Sequence, residues 1–403
     1  HLGHLKHIKK TRPELVVAVI GCMAQRLGQE LLEHEAVNIV CGPAQIPQLT
    51  DLIAQAMDEH RNSLSVTAKI RHALPQIEDA RLDDFEATHS IEDSRIPAQA
   101  FVRIMRGCNN FCSYCIVPYV RGPEVCRDPS AILDQIKHLA DTGTKQVTLL
   151  GQTVNAYRYQ AGPKTWSLAD LLAAAAEIDG IEWLRFVTSY PSQEFFDDIM
   201  HVMAESPKVC NYLHLPAQSG SDRILKAMNR NYTAAAYLDL LERARSIVPG
   251  ISIAGDFIVG FPGETDEDFQ DTTELLNKAR YKNAFIFKYS PRPGTTSDKR
   301  LADTIGDEVK QQRNVELLAM QERISDELSH RFTGKTVRVL VEGPSKKSQV
   351  NAKDGAGPQL VSRTDTDWIV VFNGPLSLAG QFADVKISKT SPLTLFGELT
   401  QKQ

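Results

Sequence analysis

The middle of the chain alternates short apolar runs with helical patterns, and this alternation limits the possible folds of the 403-residue sequence more than any other feature. The candidate strands are Ala100–Met105, Gln146–Leu150, Trp183–Thr188, Tyr212–Leu215, Ile251–Val259 and Ala284–Tyr289. Strands in series with helices form a parallel sheet that curls toward a barrel. Six units are fewer than a closed barrel needs. The sequence therefore predicts an α/β protein with an open parallel (β/α)6 partial barrel over residues 98–330, whose open side suits a large substrate such as a folded RNA.

Two further regions flank the predicted barrel. Residues 1–70 contain two short apolar strands, Leu15–Ile20 and Val37–Cys41, among helical patterns, which predicts a small parallel α/β domain. The polar residues 71–97 are typical of a linker. Residues 331–400 contain short β-rich runs separated by turn residues, at Thr336–Glu342, Gln359–Arg363, Trp368–Phe372, Gln381–Ile387 and Thr394–Leu399. Such runs predict a small β-barrel of the OB kind.

Charge and hydropathy exclude some functional classes. The net charge of −5 gives no global electrostatic case for nucleic acid, so RNA binding would need a local patch. The last region offers one basic stretch, made of Arg331, Lys335, Arg338, Lys346, Lys347 and Lys353. It could follow an RNA backbone, or it could be an ordinary solvated rim. The charges of the preceding helix, Asp307–His330, predict ordinary surface for Lys310, Arg313 and Arg323. No apolar run is long enough for a transmembrane helix, no signal peptide is evident, and no membrane partner is expected.

Seven cysteines occur, and three of them lie within eight residues as Cys108-x₃-Cys112-x₂-Cys115. The odd number and the clustering argue against a disulfide framework and favour a reducing cytoplasm. Three thiolates at this spacing can hold three corners of a [4Fe–4S] cluster, which ordinarily takes four cysteines. The remaining iron could then bind a small molecule. A structural zinc site or an accidental grouping is the alternative, although zinc would need a further ligand pair that is not evident downstream.

Polar or glycine-containing motifs follow each of the six predicted strands, where barrel enzymes carry their active sites. Each motif alone could be a turn that only ends its strand. Together they suggest a binding rim, in which Gly151 lets a ligand approach the backbone. Arg230 could pair with a carboxylate or could be a solvated cation at a helix end. The remaining side chains that could hydrogen-bond a ligand on this rim are Gln152, Ser189, Gln218 and Glu264.

These motifs together resemble the radical S-adenosylmethionine (SAM) methylthiotransferases over nearly the whole chain. The residues that carry the resemblance are the cysteine loop with Ile116–Tyr119, then Leu149–Tyr157, His214–Ser221, Asp256–Thr265 and Tyr289–Thr295. The resemblance implies a truncated N-terminal methylthiotransferase domain, a radical-SAM domain and a C-terminal TRAM domain. It also implies that Cys108, Cys112 and Cys115 bind the SAM cluster and are catalytic, while the rim residues contact SAM.

The resemblance gives Cys22 a role that the residue alone does not. After a predicted strand, Cys22 by itself is more typical of a small buried residue. In the family its position matches the third ligand of a second, auxiliary [4Fe–4S] cluster. The first two ligands are not in this chain, and with a first residue His1 rather than Met we expect a fragment whose auxiliary cluster is incomplete. Cys41, Cys126 and Cys210 are expected to be structural.

The activity implied is the methylthiolation of a modified adenosine in tRNA. One SAM would methylate a sulfur, and a second would be cleaved to a radical that removes hydrogen from C2 of N6-(dimethylallyl)adenosine beside the anticodon. The implied partners are the tRNA anticodon loop, gripped by the TRAM domain and the open barrel, and an electron donor such as flavodoxin or ferredoxin. A cytoplasmic monomer is expected.

Two positions depart from the family pattern after the cysteine loop. Pro123 stands where an arginine is usual, and Cys126 stands where a serine is usual. We expect the first change to weaken an RNA or cluster-side contact without changing the reaction. Two alternatives stay open: a methylthiotransferase acting on threonylcarbamoyladenosine in tRNA or on a ribosomal protein, and an inactive RNA-binding protein on the same scaffold.

Overall fold

The computed structural model describes residues 2–58, 62–67, 97–194, 196–346 and 357–400. The chain forms two compact units. The first comprises His1–Ser90, Arg106–Phe111 and Cys115–Val125, and the second comprises Ile91–Met105, Cys112–Tyr114 and Cys126–Gln403. The predicted linker 71–97 lies, except for Pro97, outside the described residues. The cysteine loop is thus divided between the two units.

The first unit contains a parallel sheet of three short strands, Ala18–Ile20, Ile39–Cys41 and Ser63–Ser65. The central strand is fully buried, which is why its residues are all apolar. The helices of this unit are Leu2–Thr11, Cys22–Leu27, Gln29–Leu32, the 3₁₀ helix Pro43–Gln48, Leu49–Asp58 and Val117–Val120. The predicted parallel α/β arrangement of this region is confirmed. The third strand, Ser63–Ser65, was not predicted.

The second unit is built on six parallel strands whose order in space follows their order in the chain. A bridge between Leu184 and Val209 joins the first three strands to the last three. In the described part of the chain no pairing connects the first strand to the last, so the sheet is open as predicted. The strands are Gln99–Arg103, Gln146–Leu150, Trp183–Phe186, Tyr212–His214, Ser252–Val259 and Asn283–Lys288.

Helices cover the outer face of this sheet and form the main hydrophobic core with it. They are Pro129–Asp141, Leu168–Ala176, Phe196–Glu205, Ala234–Ile247, Asp266–Ala279 and Asp307–Ser329. Two shorter helices, Asp222–Ala227 and Thr296–Arg300, contribute no residue to this core. A short antiparallel hairpin, Arg158–Ala161 with Lys164–Ser167, was not predicted. Two further short strands are Met105–Arg106 and Val125–Cys126, and a 3₁₀ turn lies at Val154–Ala156. None of the helices within the described ranges is long and apolar enough to cross a membrane.

The last part of the second unit is a closed five-stranded barrel, which confirms the prediction of a small β-barrel. Its strands alternate buried and less buried residues around a core that includes the fully buried Trp368. The strands are Thr336–Pro344, Gln359–Thr364, Ile369–Asn373, Phe382–Thr390 and Thr394–Leu399, with 3₁₀ turns at His330–Phe332 and Leu376–Leu378.

This small barrel packs against the amino-terminal ends of the large sheet's strands. The rings of Trp183 and Phe382 meet edge to face, with their centroids 4.8 Å apart. Lys282, which immediately precedes the last strand, pairs with Asp367 at 3.0 Å, and burial lowers the pKa of Lys282 to about 8. Arg185 donates to the backbone oxygen of Asp365 at 3.0 Å. The carboxyl-terminal ends of the strands therefore stay free of the small barrel.

The basic residues of the helix Asp307–Ser329 are less exposed than predicted. Lys310 and Arg313 are buried, at 3% and 6% exposure, whereas Arg323 is exposed as expected. Lys310 pairs with Asp303 at 2.6 Å, and Arg313 pairs with Glu264 at 2.8 Å. The prediction of ordinary surface was wrong for these two residues because their partners are on other elements, where helical periodicity gives no signal.

Asp268 connects the starts of two helices near the strand ends. Thr265 caps the helix Asp266–Ala279, and its backbone N–H and hydroxyl donate to the Asp268 carboxylate at 2.8 and 3.0 Å. Ser221, which caps the helix Asp222–Ala227, donates to the same carboxylate at 2.6 Å, and Arg223 pairs with it. Burial alone would raise the pKa of Asp268, but these donors outweigh burial and hold its pKa well below the ordinary value.

We expect Asp268→Asn to lower the free energy of unfolding by about 2–3 kcal/mol near neutral pH, because charge-assisted hydrogen bonds are lost. A depressed folded-state pKa contributes stability that is present above the unfolded pKa, about 4, and is lost as the pH falls toward the folded value. The difference between variant and parent should therefore shrink below about pH 4. Urea unfolding across this range measures it, and a difference that is independent of pH would contradict the assignment.

Candidate functional site

The part of the cysteine loop in the first unit is fixed by a close backbone approach. The Cys108 N–H donates to Gly122 O at 3.2 Å. Gly107 has φ +75°, and a Cβ there would lie 1.9 Å from the Pro123 oxygen, so only glycine fits. The departure at Pro123 thus falls on the residue that packs against this turn.

Two residues of the loop carry the contacts that hold its first turn. The Asn109 backbone N–H donates to the Glu124 carboxylate at 3.1 Å, and the Glu124 N–H donates back to Asn109 Oδ1 at 3.2 Å. Burial raises the pKa of Glu124. The neighbouring Asn110 Nδ2 lies 3.4 Å from Cys108 Sγ, so it can donate to the sulfur.

Cys22 also lies in the first unit and has a basic neighbour. It begins the short helix Cys22–Leu27 directly after the strand Ala18–Ile20 and is partly buried. Arg121 Nε donates to Cys22 Sγ at 3.2 Å. A guanidinium at this distance fixes the position of the sulfur through a hydrogen bond. Sequence reasoning did not identify Arg121, whose only signal was its place just after the cysteine loop.

The part of the loop in the second unit is Cys112–Tyr114. The Ser113 N–H and hydroxyl donate to Met228 O and Ala227 O, at 2.9 and 2.8 Å, and this ties the segment to the end of the helix Asp222–Ala227. The Tyr114 ring meets the Phe261 ring edge to face. Cys112 is buried, and Arg230 Nη1 lies 3.4 Å from its sulfur.

Arg230 occupies an aromatic setting. Its guanidinium lies 4.3 Å from the Tyr190 ring centroid and 5.0 Å from that of Tyr232. Its Nε donates to the Tyr232 hydroxyl at 2.8 Å, and its Nη2 donates to Pro216 O at 3.2 Å. Cation–π contacts of this kind keep a planar cation in one orientation. Of the two predicted possibilities, a solvated helix end and a carboxylate partner, the solvated end does not fit this setting.

The other predicted rim residues follow their strands at the carboxyl-terminal ends. Gln152 Oε1 and Ser189 Oγ are buried, and within the described ranges neither atom has a hydrogen-bond partner. Buried polar atoms are ordinarily satisfied, so two orphaned atoms at neighbouring strand ends indicate a place for a polar ligand. Gly151 approaches Met105 so closely that a Cβ would lie 2.5 Å from Met105 Cγ.

Gln218 and Glu264 differ from these in how they are held. Gln218 has φ +70° and is buried, with its N–H on Asp256 O at 2.8 Å. Glu264 Oε1 accepts from the Gly260 N–H at 2.9 Å and from Arg313 at 2.8 Å. Burial raises the pKa of Glu264. One carboxylate oxygen of Glu264 is therefore already engaged in holding its loop, and its contact with a ligand stays a prediction.

The predicted basic stretch is only partly available for RNA. Arg338 pairs with Glu182 at 2.9 Å and stacks on Phe382, and Arg331 donates to Ser252 Oγ at 3.2 Å. Both arginines therefore help to hold the small barrel on the large sheet. Lys347 and Lys353 lie outside the described residues.

The donor set around the loop fits an iron–sulfur cluster. Three thiols lie within eight residues, and N–H donors reach two of the sulfurs, from Asn110 and Arg230. Hydrogen bonds to the sulfurs are one of the means by which proteins tune such clusters. Among the described residues, no three histidine, cysteine or carboxylate side chains converge at metal-binding distance. The assignment therefore depends on the loop spacing and on these donors.

Comparison with known proteins agrees with the domain order. The Radical SAM superfamily pattern matches residues 102–276, and the TRAM domain pattern matches residues 330–400. The chain is similar to the tRNA-2-methylthio-N(6)-dimethylallyladenosine synthase of Rhodopirellula baltica, with 42% identity over 99% of this chain and 83% of that protein. It is equally similar to the synthase of the same name from Syntrophomonas wolfei, with 42% identity over 99% of this chain and 84% of that protein. With the six-stranded open sheet, the closed small barrel and the cysteine loop, these matches show that the chain belongs to the radical SAM methylthiotransferases.

Proposed function

We propose that the chain is a tRNA methylthiotransferase that converts N6-(dimethylallyl)adenosine beside the anticodon to its 2-methylthio derivative. The observation that carries the proposal is the 42% identity, over 99% of the chain, to relatives named for that product. The intact cysteine trio and the orphaned polar atoms at the strand ends support a working cofactor site rather than an inactive RNA-binding scaffold.

In this proposal residues 98–330 are the catalytic domain and residues 1–70 belong to the methylthiotransferase domain. Cys108, Cys112 and Cys115 hold the [4Fe–4S] cluster that the superfamily implies. When bound, this cluster would supply the reductive cleavage of SAM that begins the radical chemistry at C2 of the adenosine.

The strand-end residues would hold SAM. Arg230, held beside two tyrosine rings, would pair with the SAM carboxylate. Gln152 and Ser189 would donate to and accept from the polar groups that their buried atoms now lack. Gly151 would let the ligand approach the backbone, Gln218 would hydrogen-bond it, and Glu264 would contact it through the carboxylate oxygen other than Oε1.

Cys22 would bind the second [4Fe–4S] cluster, with Arg121 hydrogen-bonded to its sulfur. The proposed partners are a tRNA anticodon loop, bound with the help of residues 331–400, and a reducing protein such as flavodoxin or ferredoxin. We place the enzyme in the cytoplasm as a monomer.

Nucleoside mass spectrometry of bulk tRNA tests the function. A host without methylthiotransferases of its own, expressing the complete gene, should accumulate 2-methylthio-N6-(dimethylallyl)adenosine. A methylthio group on threonylcarbamoyladenosine instead would contradict the substrate assignment. Unchanged tRNA in cells whose purified protein carries iron and sulfide would contradict the tRNA substrate altogether.

A further inference from the structure

The inner face of the last three strands of the large parallel sheet carries aromatic side chains that the described residues leave uncovered. Phe285 and Phe287, on the strand Asn283–Lys288, are 51% and 55% exposed. The residue between them, Ile286, points to the other face and is buried in the main core. Parallel sheets are ordinarily covered on both faces. Two large rings exposed on the inner face therefore indicate a surface that a ligand covers.

A polar pair lies beside these rings. His214 Nε2 and Asp256 Oδ1 are 3.1 Å apart, and both side chains are largely buried. Asp256 and Phe285 are register partners on adjacent parallel strands, as are Ile258 and Phe287, so all four side chains share one face. The His214 ring meets the Phe285 ring edge to face, with centroids 6.3 Å apart. Asp256 holds one nitrogen of the imidazole, which leaves the other nitrogen for a ligand.

The surface continues into the predicted SAM contacts. The Gln218 N–H donates to Asp256 O at 2.8 Å, and the Ile258 N–H donates to Gln218 O at 2.9 Å. Phe287 is the register partner of Ile258, and Ile258 is hydrogen-bonded to Gln218, one of the predicted SAM contacts. A molecule that lies on Phe287 would therefore be next to bound SAM. This continuity fits a substrate that must reach the deoxyadenosyl group, rather than a second, remote ligand.

We propose that His214, Phe285 and Phe287 bind the target base, an adenine with an apolar N6 substituent. The proposal rests on the proposed function and names the residues that select its substrate. The target base is flat, with a polar edge and a branched apolar substituent. The imidazole of His214 matches the polar edge, and the exposed rings of Phe285 and Phe287 match the base plane and the apolar substituent. Aromatic side chains stack on unpaired bases in single-stranded RNA, and His214 can hydrogen-bond the base edge. Asp256 is a positioning residue that acts through His214.

The test compares two fluorescent anticodon stem-loops that differ only in the dimethylallyl group, with binding to the full-length enzyme measured by anisotropy. Wild type should prefer the modified RNA. In Phe285→Ala/Phe287→Ala binding of the modified RNA should weaken by about tenfold or more, the loss expected for base stacking, and the preference should be lost with the apolar surface that contacts the dimethylallyl group. Val315→Ala is a matched control, because Val315 is 53% exposed on the helix Asp307–Ser329. It should keep the preference.

The outcomes separate this inference from the proposed function. If wild type converts the modified stem-loop while the double variant binds and converts it equally well, the base is held elsewhere and the inference is wrong. If wild type binds both RNAs alike, the inference is also wrong, whatever the product is. If wild type shows the preference but makes no methylthio product, the proposed function fails and the binding assignment stands. Circular dichroism of the double variant checks that it is folded.

Discussion

A Cys112→Ala enzyme should fold normally, lose its iron and sulfide, and make no methylthio product. Cys112 is buried, and its sulfur lies 3.4 Å from Arg230 Nη1. Removing one buried sulfur should cost on the order of 1 kcal/mol of stability, because the cavity is small. Two thiolates are too few for a cluster that ordinarily takes several cysteine ligands. The effect on activity should therefore far exceed the effect on folding.

The measurement is iron and acid-labile sulfide per chain after anaerobic reconstitution, followed by nucleoside analysis. Cys126→Ser is the control, since Cys126 is a partly buried cysteine close to the loop in sequence and accepts from the Arg158 N–H. It should keep both cluster and activity. Iron retained by Cys112→Ala at the level of Cys126→Ser would show that Cys112 is not a ligand.

An Arg313→Met enzyme should lose about 3–5 kcal/mol of stability, because the substitution leaves the Glu264 carboxylate buried without its partner. The side chains of Glu264 and Arg313 are 2% and 7% exposed, and they pair at 2.8 Å. Burial already raises the pKa of Glu264, and loss of the guanidinium should raise it further. A carboxyl group whose pKa is higher in the folded state than in the unfolded state stabilises the folded state most when it is protonated. The loss of stability in Arg313→Met should therefore be smaller at about pH 5 than at pH 7.

Urea unfolding at both pH values measures this loss. Glu264→Gln/Arg313→Met should recover part of it, because no buried charge then remains. Asp266, the other acidic partner of Arg313, has a side chain that is 94% exposed. Asp266→Asn should therefore change the free energy of unfolding by less than about 1 kcal/mol. A loss in Arg313→Met no larger than in Asp266→Asn would show that the buried pair is not an important source of stability.

Local patterns predicted the elements of the second unit well. The strands Gln146–Leu150 and Thr394–Leu399 have the predicted bounds. In these segments hydrophobic periodicity and the flanking turn residues agree. The hairpin Arg158–Ala161 with Lys164–Ser167 was missed because its strands are short, polar and partly exposed, so they carry no alternating apolar signal.

The site was predictable in its residues but not in their environment. The order of strands and motifs placed Gln152, Ser189 and Gln218 at strand ends, where the structure has them. No sequence pattern showed that Gln152 and Ser189 are orphaned while Glu264 is engaged by Arg313. These differences depend on partners tens of residues away, which only the folded chain brings together. The same reason explains why the inner-face pair His214 and Asp256 was missed, although both residues stand in motifs that the sequence had already identified.

The position of the small barrel sets the distance between it and the carboxyl-terminal strand ends, where the reacting base would bind. The small barrel holds the amino-terminal ends of the strands through Lys282 and Arg185, whereas the orphaned Gln152 and Ser189 lie beyond the opposite ends. At about 3.3 Å per residue, strands of three to eight residues separate these ends by roughly 10–26 Å. An RNA touching both must span that gap, so the small barrel would grip the stem several base pairs away from the reacting base. Substrate choice would then depend on stem length as well as on the loop sequence.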